Sequence, residues 1–289
     1  MNLPAEKQAL LDTLIPGLAA VPGVEALALG GSYARGTAHP GSDLDIALYY
    51  REDAPLDVEA VRRIAAEISI QGEPVVTELY GWGPWVNGGA WIYTAAGKVD
   101  FLYRSLDQVQ RTIDAARQGK SEHDFEQQPV FGFYSVTYLG ETLVCRPLHD
   151  PAGHLERLKR QVQVYPPALK ERTVSGSLWL TEFSLLHARA YAAAGDVYAA
   201  AGTLARCASF LVQALFALNE VYFINDKTAM REIAAFPLAP AGFVERLQAI
   251  LGCPGRDPES LARSAEQMEA LRAETAALAA QASTRTSSI

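Results

Sequence analysis

Two short segments decide the fold of this chain: Leu29–Gly36, which reads LGGSYARG, and, after five further residues, Ser42–Ile46, which reads SDLDI. In the second segment Asp43 and Asp45 alternate with apolar residues, as on a strand with one buried face. Both carboxylates then point the same way, about 6.6 Å apart along the strand. At about 4 Å and an effective dielectric constant near 20, two such charges repel by roughly 4 kcal/mol. The pair therefore predicts a bound divalent cation, and all-oxygen ligands favour Mg²⁺.

The first segment predicts a phosphate-binding turn. Gly31 and Ser32 stand where a strand ends and a helix can begin, so backbone N–H groups can approach an anion and the hydroxyl adds a donor. Arg35 and Ser42 are candidates for the same phosphates. The alternatives are a solvated surface charge for Arg35 and a turn-shaping role for Ser42. A phosphate site beside an acid pair is typical of phosphoryl or nucleotidyl transfer.

A third carboxylate, Asp100, lies in the strand-like segment Gly97–Leu102 (GKVDFL). Its neighbours Val99 and Phe101 point to the opposite face. If this strand pairs with the strand of Asp43 and Asp45, all three acids converge. Three acids would allow a site for two Mg²⁺ ions, in which one activates the attacking oxygen and the other stabilises the leaving pyrophosphate.

These residues carry a resemblance to a known family. Gly31-Ser32, the acids Asp43 and Asp45, and the distant Asp100 resemble the nucleotidyltransferase superfamily of DNA polymerase β, in particular its minimal and antibiotic-modifying branches. The resemblance covers roughly residues 20–105. It implies a five-stranded mixed sheet with helices on one side. It also implies Mg²⁺-dependent transfer of a nucleoside monophosphate from a nucleoside triphosphate, with ATP as the expected donor, and release of pyrophosphate.

The second half of the chain resembles the helical domain of kanamycin-type nucleotidyltransferases. The segments Trp82–Trp91 and Tyr222–Lys227 also resemble a family of uncharacterised bacterial nucleotidyltransferase-domain proteins. The kanamycin-type resemblance places Glu182 where those enzymes have their general base, although an ordinary exposed helix position is the alternative. Lys227 is a candidate contact for the triphosphate.

Further candidate residues for binding the acceptor are aromatic or basic. Trp82 and Trp85 lie in a Gly- and Pro-rich stretch that can stack a nucleobase or a cationic sugar, or can simply be a hairpin covering the core. His187 and Arg189 follow Glu182 on the same helix within two turns and can contact phosphate or acceptor.

The periodicity of the chain predicts an α+β protein. Helices and strands alternate over the first 120 residues, and the turn Ala95–Gly97 predicts a hairpin. From about residue 150 the pattern is helical throughout. We therefore predict a nucleotidyltransferase head of mixed sheet and flanking helices at 1–120, a connector at 121–150, and an all-helical, substrate-binding bundle at 151–289.

Composition limits the partners. The chain has 289 residues, with 25 Lys and Arg against 33 Asp and Glu, a formal net charge of −8. Without a basic stretch, nucleic acid is an unfavourable partner, whereas a cationic small-molecule acceptor is easy to accommodate. Three widely spaced cysteines predict a reducing cytoplasm, and we expect no membrane span. The helical half has enough apolar surface for a homodimer to be possible.

Three hypotheses of function follow. The first is adenylylation of a hydroxyl on a small molecule such as an aminoglycoside-like antibiotic, which would connect the protein to antibiotic resistance. The second keeps the chemistry but modifies a protein or tRNA, as in toxin–antitoxin pairs. The third is a nucleotide-binding module without catalysis.

Overall fold

The computed structural model describes residues 3–128 and 130–286 of the chain. The protein is α+β, with a mixed sheet in its N-terminal part and helices in its C-terminal part. Two compact units are present: Met1–Ala115 with Ser121–Val164, and Ala116–Lys120 with Tyr165–Ile289. The boundaries predicted at 120 and 150 came from the change in periodicity along the chain, whereas the contacts group Ser121–Val164 with the first unit.

The first unit begins with helices and strands that match the predicted periodicity. Asp57 caps the third helix, because its side chain accepts a hydrogen bond from the N–H of Ala60 at 3.1 Å. The elements are α1 (Ala5–Ala19), β1 (Ala26–Leu29), α2 (Gly31–Arg35), β2 (Leu44–Tyr50), α3 (Val58–Ile68), β3 (Val75–Val76), β4 (Gly89–Thr94), β5 (Gly97–Ser105) and α4 (Leu106–Arg117).

The rest of the first unit contains elements that the sequence did not predict. They are β6 (His123–Asp124), β7 (Phe133–Tyr134), α5 (Val136–Val144) and β8 (Arg146–His149), followed by the predicted helix α6 (His154–Gln161). The strand β8 pairs antiparallel with β1 and so extends the main sheet. The segment expected to be a connector therefore supplies an edge of the sheet.

The main sheet has six strands among the described residues, in the order β3-β4-β5-β2-β1-β8, rather than the five that the resemblance implies. Only β2 and β5 run parallel; every other neighbouring pair in this sheet is antiparallel. The hairpin between β4 and β5 turns at Ala95 and Ala96, as predicted, since Thr94 pairs with Gly97. The core of this unit is formed by apolar side chains from α1, α3 and the central strands.

The second unit is helical. Its elements are α7 (Pro167–Ala194), α8 (Val197–Leu218), α9 (Asp226–Ile233), α10 (Phe243–Gly252) and α11 (Pro258–Thr286). By length and composition α8 is apolar enough to cross a membrane, and it is the one such helix in the described ranges. However, 72% of its most apolar stretch is buried inside the protein, as is usual for the core helix of a globular unit.

Candidate active site

The register of two parallel strands brings two of the predicted carboxylates together. Asp45 on β2 is the direct partner of Asp100 on β5, so both side chains lie on the same face of the sheet. Asp43 precedes β2 by one residue and stands two positions before Asp45. The pairing on which the convergence of the three acids depended is therefore present.

A lysine that the sequence reading missed lies between two of these acids. The Nζ atom of Lys98 is 2.8 Å from Oδ2 of Asp100 and 3.1 Å from Oδ2 of Asp43. Burial acts to lower the pKa of Lys98, but the hydrogen bonds that Lys98 donates to the two carboxylates, together with their negative charges, outweigh it, so that the pKa is raised and the ammonium group stays charged. The two-residue period of β5 contained the signal, because Lys98 and Asp100 share a face.

Asp45 is held in a tight, negatively charged environment. Burial and, after it, the charges of Asp100 and Asp43 raise the pKa of Asp45 to about 7. A Cβ added at Gly31 would lie 1.7 Å from Oδ2 of Asp45, and Gly31 has φ +58°, so both space and backbone conformation require glycine there. The backbone adds a further link, since the N–H of Gly30 donates to the carbonyl of Asp45 at 2.9 Å.

The predicted phosphate turn is the start of the short helix α2. Gly31 and Ser32 are its first two residues, so their N–H groups lie outside the intrahelical ladder. Ser32 is half-buried, and Arg35 is half-buried in the last turn of the same helix. The close contact between Gly31 and Asp45 places this turn beside the acids.

Ser42 uses its side chain within the turn that leads to Asp43. Its hydroxyl oxygen accepts a hydrogen bond from the N–H of His39 at 2.9 Å. Its carbonyl accepts another from Nζ of the buried Lys7 at 3.1 Å. These contacts match the turn-shaping alternative for Ser42 and show that Lys7, which the sequence reading also missed, fixes the same turn.

A further ion pair in the first unit joins two residues that were not among the predicted site residues. The guanidinium group of buried Arg104 on β5 binds Glu141 on α5 through two hydrogen bonds of 3.0 and 3.2 Å. The negative charge of Glu141 also contributes to the raised pKa of Asp45. Nothing in the sequence suggested this pair, because α5 itself was not predicted.

The two tryptophans of the Gly- and Pro-rich stretch have different surroundings. The Trp82 ring stacks on Trp91 at 5.0 Å, and Trp91, which is 47% exposed, pairs across the strands with Asp100. Trp85 packs between Phe133 and Tyr138, with ring centroids 5.6 and 5.9 Å away. Trp82 and Trp91 therefore lie on the face of the sheet that carries the acids. Trp85 instead belongs to an aromatic cluster that anchors the Gly- and Pro-rich loop.

The remaining candidates belong to the second unit. Glu182, His187 and Arg189 are exposed on α7, and Lys227 is exposed in the first turn of α9. Oε2 of Glu182 lies 3.5 Å from Arg272, which favours the reading of Glu182 as an exposed helix position carrying a surface ion pair.

The residues at the acid site suit a divalent cation by type, because all three offer carboxylate oxygens. Asp43 and Asp100 already converge on one positive centre, the ammonium group of Lys98. Within the described ranges, no group of three or more His, Cys, Asp or Glu side chains is arranged around a common metal position. The donor set thus fits Mg²⁺ chemically, with Lys98 standing in for a cation between two of the three acids.

Comparisons with known proteins match two segments of the chain. Residues 13–79 match the family described as Nucleotidyltransferase domain, and residues 137–227 match a domain of unknown function, DUF4037. No curated protein sequence matches the chain. Among solved structures, the chain is similar to a nucleotidyltransferase-like protein from Exiguobacterium sibiricum 255-15, with 10% identity, a TM-score of 0.48, and coverage of 96% of this chain and 78% of the other. The protein therefore contains a nucleotidyltransferase domain of the DNA polymerase β type together with a DUF4037 segment.

Proposed function

We propose that this protein is a metal-dependent nucleotidyltransferase that transfers a nucleoside monophosphate, with ATP as the donor, to a hydroxyl group of a small molecule. The observation that carries the proposal is the register of β2 and β5, which pairs Asp45 with Asp100 on one face of the sheet. The match of residues 13–79 to the nucleotidyltransferase domain supports the same chemistry.

In this proposal, Asp43, Asp45 and Asp100 hold up to two Mg²⁺ ions. The ions supply positive charge against the triphosphate and the leaving pyrophosphate. The raised pKa of Asp45 supports such a role, because burial and the neighbouring carboxylates make its charged form costly without a cation.

The start of α2 would bind the phosphate chain. Gly31 and Ser32 offer backbone N–H groups, and the Ser32 hydroxyl adds a donor. Arg35 follows in the same helix and would add positive charge. The contact of Gly31 with Asp45 supports this arrangement, since it puts the phosphate donors next to the metal-binding acids.

The reaction balances with these groups alone. The acceptor oxygen forms a bond to the α-phosphorus, the bond from that phosphorus to the bridging oxygen of the β-phosphate breaks, and pyrophosphate leaves. Asp100 polarises the attacking hydroxyl and accepts its proton. Glu182 remains the second candidate for this proton, from the resemblance of the helical half.

Two features support a small cationic acceptor in the cytoplasm. The net charge of −8 favours a cation over a phosphate backbone. All three cysteines are free thiols, as in a reducing compartment. Trp91, with Trp82 stacked beneath it, offers an aromatic surface next to Asp100 for a nucleobase or the acceptor.

The test is turnover of nucleoside triphosphates labelled on the α-phosphate, with Mg²⁺ and a cell extract as the source of acceptor. The Asp45→Asn variant should release no pyrophosphate. The matched control is Asp53→Asn, which removes a carboxylate that is 75% exposed in the same unit. Retained turnover in Asp45→Asn would contradict the proposal. Label on protein or RNA would support the second hypothesis, and nucleotide binding indifferent to Mg²⁺ would support the third.

A further inference from the structure

The long helix α7 carries a row of aromatic side chains on its exposed side. Trp179, Phe183, His187 and Tyr191 follow one another at intervals of four residues, so they lie along one face of the helix. Their rings form a continuous series, with centroid distances of 5.5, 4.9 and 6.3 Å. We call these four residues, with Leu186 beside them, the aromatic ladder.

The ladder exposes more apolar surface than an ordinary helix face. Trp179 is 61% exposed, Phe183 48%, Leu186 58% and Tyr191 36%. With aromatic side chains of about 150–250 Å², these residues leave on the order of 400 Å² open to water. The largest apolar patch of a single chain usually covers about 300–600 Å² and is often functional, so a patch of this size is a candidate interaction site. Two such patches face to face, with their polar rims, approach the roughly 1,200 Å² of a small specific interface.

The ladder is chemically symmetrical about its own centre. Trp179 and Tyr191 lie equally far from Leu185, and so do Phe183 and His187. Two exposed charges of opposite sign, Glu182 and Arg189, have their midpoint between Leu185 and Leu186. A helix face with this pattern complements a second copy of itself in the antiparallel direction.

We propose that the aromatic ladder is the contact between two copies of this chain, with their α7 helices antiparallel about a twofold axis near Leu185. In that arrangement the Phe183 ring of one copy meets His187 of the partner subunit, and the Trp179 ring meets the partner's Tyr191. Such an interface is isologous, because the same patch serves both copies.

The charges at the edge of the ladder fit the same arrangement. Residues on one edge of a helix face the same edge of an antiparallel copy, so Glu182 would face the partner's Arg189 twice over. Within one chain both charges form ion pairs with α11: Glu182 lies 3.5 Å from Arg272, and Arg189 lies 3.8 Å from Glu269. Glu182 is 62% exposed and Arg189 50% exposed, so both remain accessible to a second copy.

The first experiment is sedimentation velocity of the full-length protein. We expect a concentration-dependent dimer in the wild type and a monomer for Phe183→Asp, with association weakened by about a hundredfold or more, since an aromatic side chain near an interface centre is a typical hot spot. The matched control is Tyr198→Asp, which changes an aromatic that is 92% exposed on α8 and should leave the dimer unchanged. A monomeric wild type at about 100 µM, far above ordinary dimer affinities, or a dimer unaffected by Phe183→Asp, overturns the proposal.

A pair of charge variants tests the antiparallel register. Glu182→Arg alone places arginine against arginine at both symmetry-related contacts, and Arg189→Glu alone places glutamate against glutamate there. Each variant should therefore dimerise about tenfold less well, a loss within the range for two exposed ion pairs. An equimolar mixture should recover association to within about threefold as a heterodimer, because each contact then joins opposite charges. Contacts within each chain are the same before and after mixing, so absence of recovery overturns this register.

Disulfide cross-linking tests the same contact between two copies even if one of the variants above is unstable. Leu186→Cys in a Cys253→Ser background places two thiols near the twofold axis and removes the exposed native cysteine. Mild oxidation should give a disulfide-linked dimer, whereas Tyr198→Cys in the same background should not. Equal cross-linking of both variants would reflect random collision and overturn the proposal. None of these measurements uses nucleotide or activity, so their outcome is independent of the proposed reaction.

Discussion

The ammonium group of Lys98 lies 2.8 Å from Oδ2 of Asp100, on the same face of the same strand. The same Nζ atom is 3.1 Å from Oδ2 of Asp43, so one lysine neutralises two of the three acids proposed to bind metal. A divalent cation that uses both carboxylates must therefore compete with Lys98 or move it aside.

From this relationship we expect that Lys98→Met binds Mg²⁺ about tenfold more tightly than the wild type, which corresponds to about 1.4 kcal/mol. Isothermal titration with Mg²⁺ alone measures the effect without any substrate. Lys98→Arg, which keeps the charge, should stay close to the wild type. The control Lys120→Met removes an exposed lysine that is hydrogen-bonded to Gln118 and should change nothing. Weaker Mg²⁺ binding by Lys98→Met would mean that Lys98 supports the cation instead.

Gly31, the first residue of α2, and Gly36, which directly follows α2, allow the effect of backbone strain to be measured separately from that of steric contact. Gly31 and Gly36 both have positive φ, +58° and +71°, but a Cβ at Gly31 would overlap Asp45, whereas a Cβ at Gly36 meets nothing within 4 Å. Both Gly→Ala variants should lose about 1 kcal/mol of stability from the left-handed conformation. Gly31→Ala should in addition lose pyrophosphate release and Mg²⁺ binding, measured beside thermal denaturation. Equal activities in the two variants would contradict a role for the contact with Asp45.

Asn87 fixes the loop that carries Trp82. Its side chain is fully buried, donates to the hydroxyl of Tyr50 at 2.6 Å and accepts from the N–H of Tyr80 at 2.9 Å, and its φ is +66°. Asn87→Ala should cost about 2–4 kcal/mol, because it leaves these partners unsatisfied and strains the backbone. Asn87→Gly should cost about 1 kcal/mol less, since glycine accepts this φ. Urea unfolding monitored by tryptophan fluorescence measures the free energy of unfolding of both variants. Equal losses in the two variants would show that the backbone conformation at Asn87 makes no measurable contribution to stability.

The Glu52–Arg111 ion pair should make stability depend on pH. Two hydrogen bonds of 2.8 and 2.6 Å from Arg111 and one of 3.0 Å from Ser105 hold the pKa of Glu52 below its ordinary value of 4.5. A carboxyl group whose pKa is lowered by folding stabilises the folded state at pH values above its ordinary pKa. This stabilisation is lost as the pH falls through the pKa of the group in the folded protein. Glu52→Gln should thus lower stability at pH 7 by about 0.2–1 kcal/mol, the range for an exposed ion pair.

The measurement for this pair is thermal denaturation of wild type and Glu52→Gln at pH 7 and at a pH near 3. The difference between the two melting temperatures should shrink at the lower pH. In an Arg111→Gln background, Glu52→Gln should have a smaller effect at pH 7. A difference that is constant with pH would show that the carboxylate charge is not its cause.

The sequence predicted those parts of the fold that have a clear period or a clear stop signal. The β4–β5 hairpin, for example, followed from the turn Ala95–Gly97. The strand β8 was missed because it has four residues and contains Pro147, which removes a backbone donor and is tolerated mainly at sheet edges. The helix α5 was missed because nine residues, apolar on several sides, show too little contrast between faces.

The site was predictable to the extent that chemistry follows from local pattern. The three acids and the glycine turn come from two strands and one turn, and strand periodicity sufficed to align them. Ser42 was ambiguous because a sequence does not show whether a hydroxyl points to a ligand or back to its own turn. Glu141 was missed because its proximity to Asp45 depends on the folding of a distant segment onto the sheet.

The division of the chain into units has a consequence for protein engineering. The first unit is interrupted by Ala116–Lys120, which packs with the second unit, and resumes at Ser121–Val164 before the chain enters the helical unit for good. No single cleavage site therefore separates the two units. A gene fragment that ends at residue 120 would lack β8 and leave the β1 edge of the sheet open to aggregation. Exchange of the helical unit between relatives would require two insertions made together.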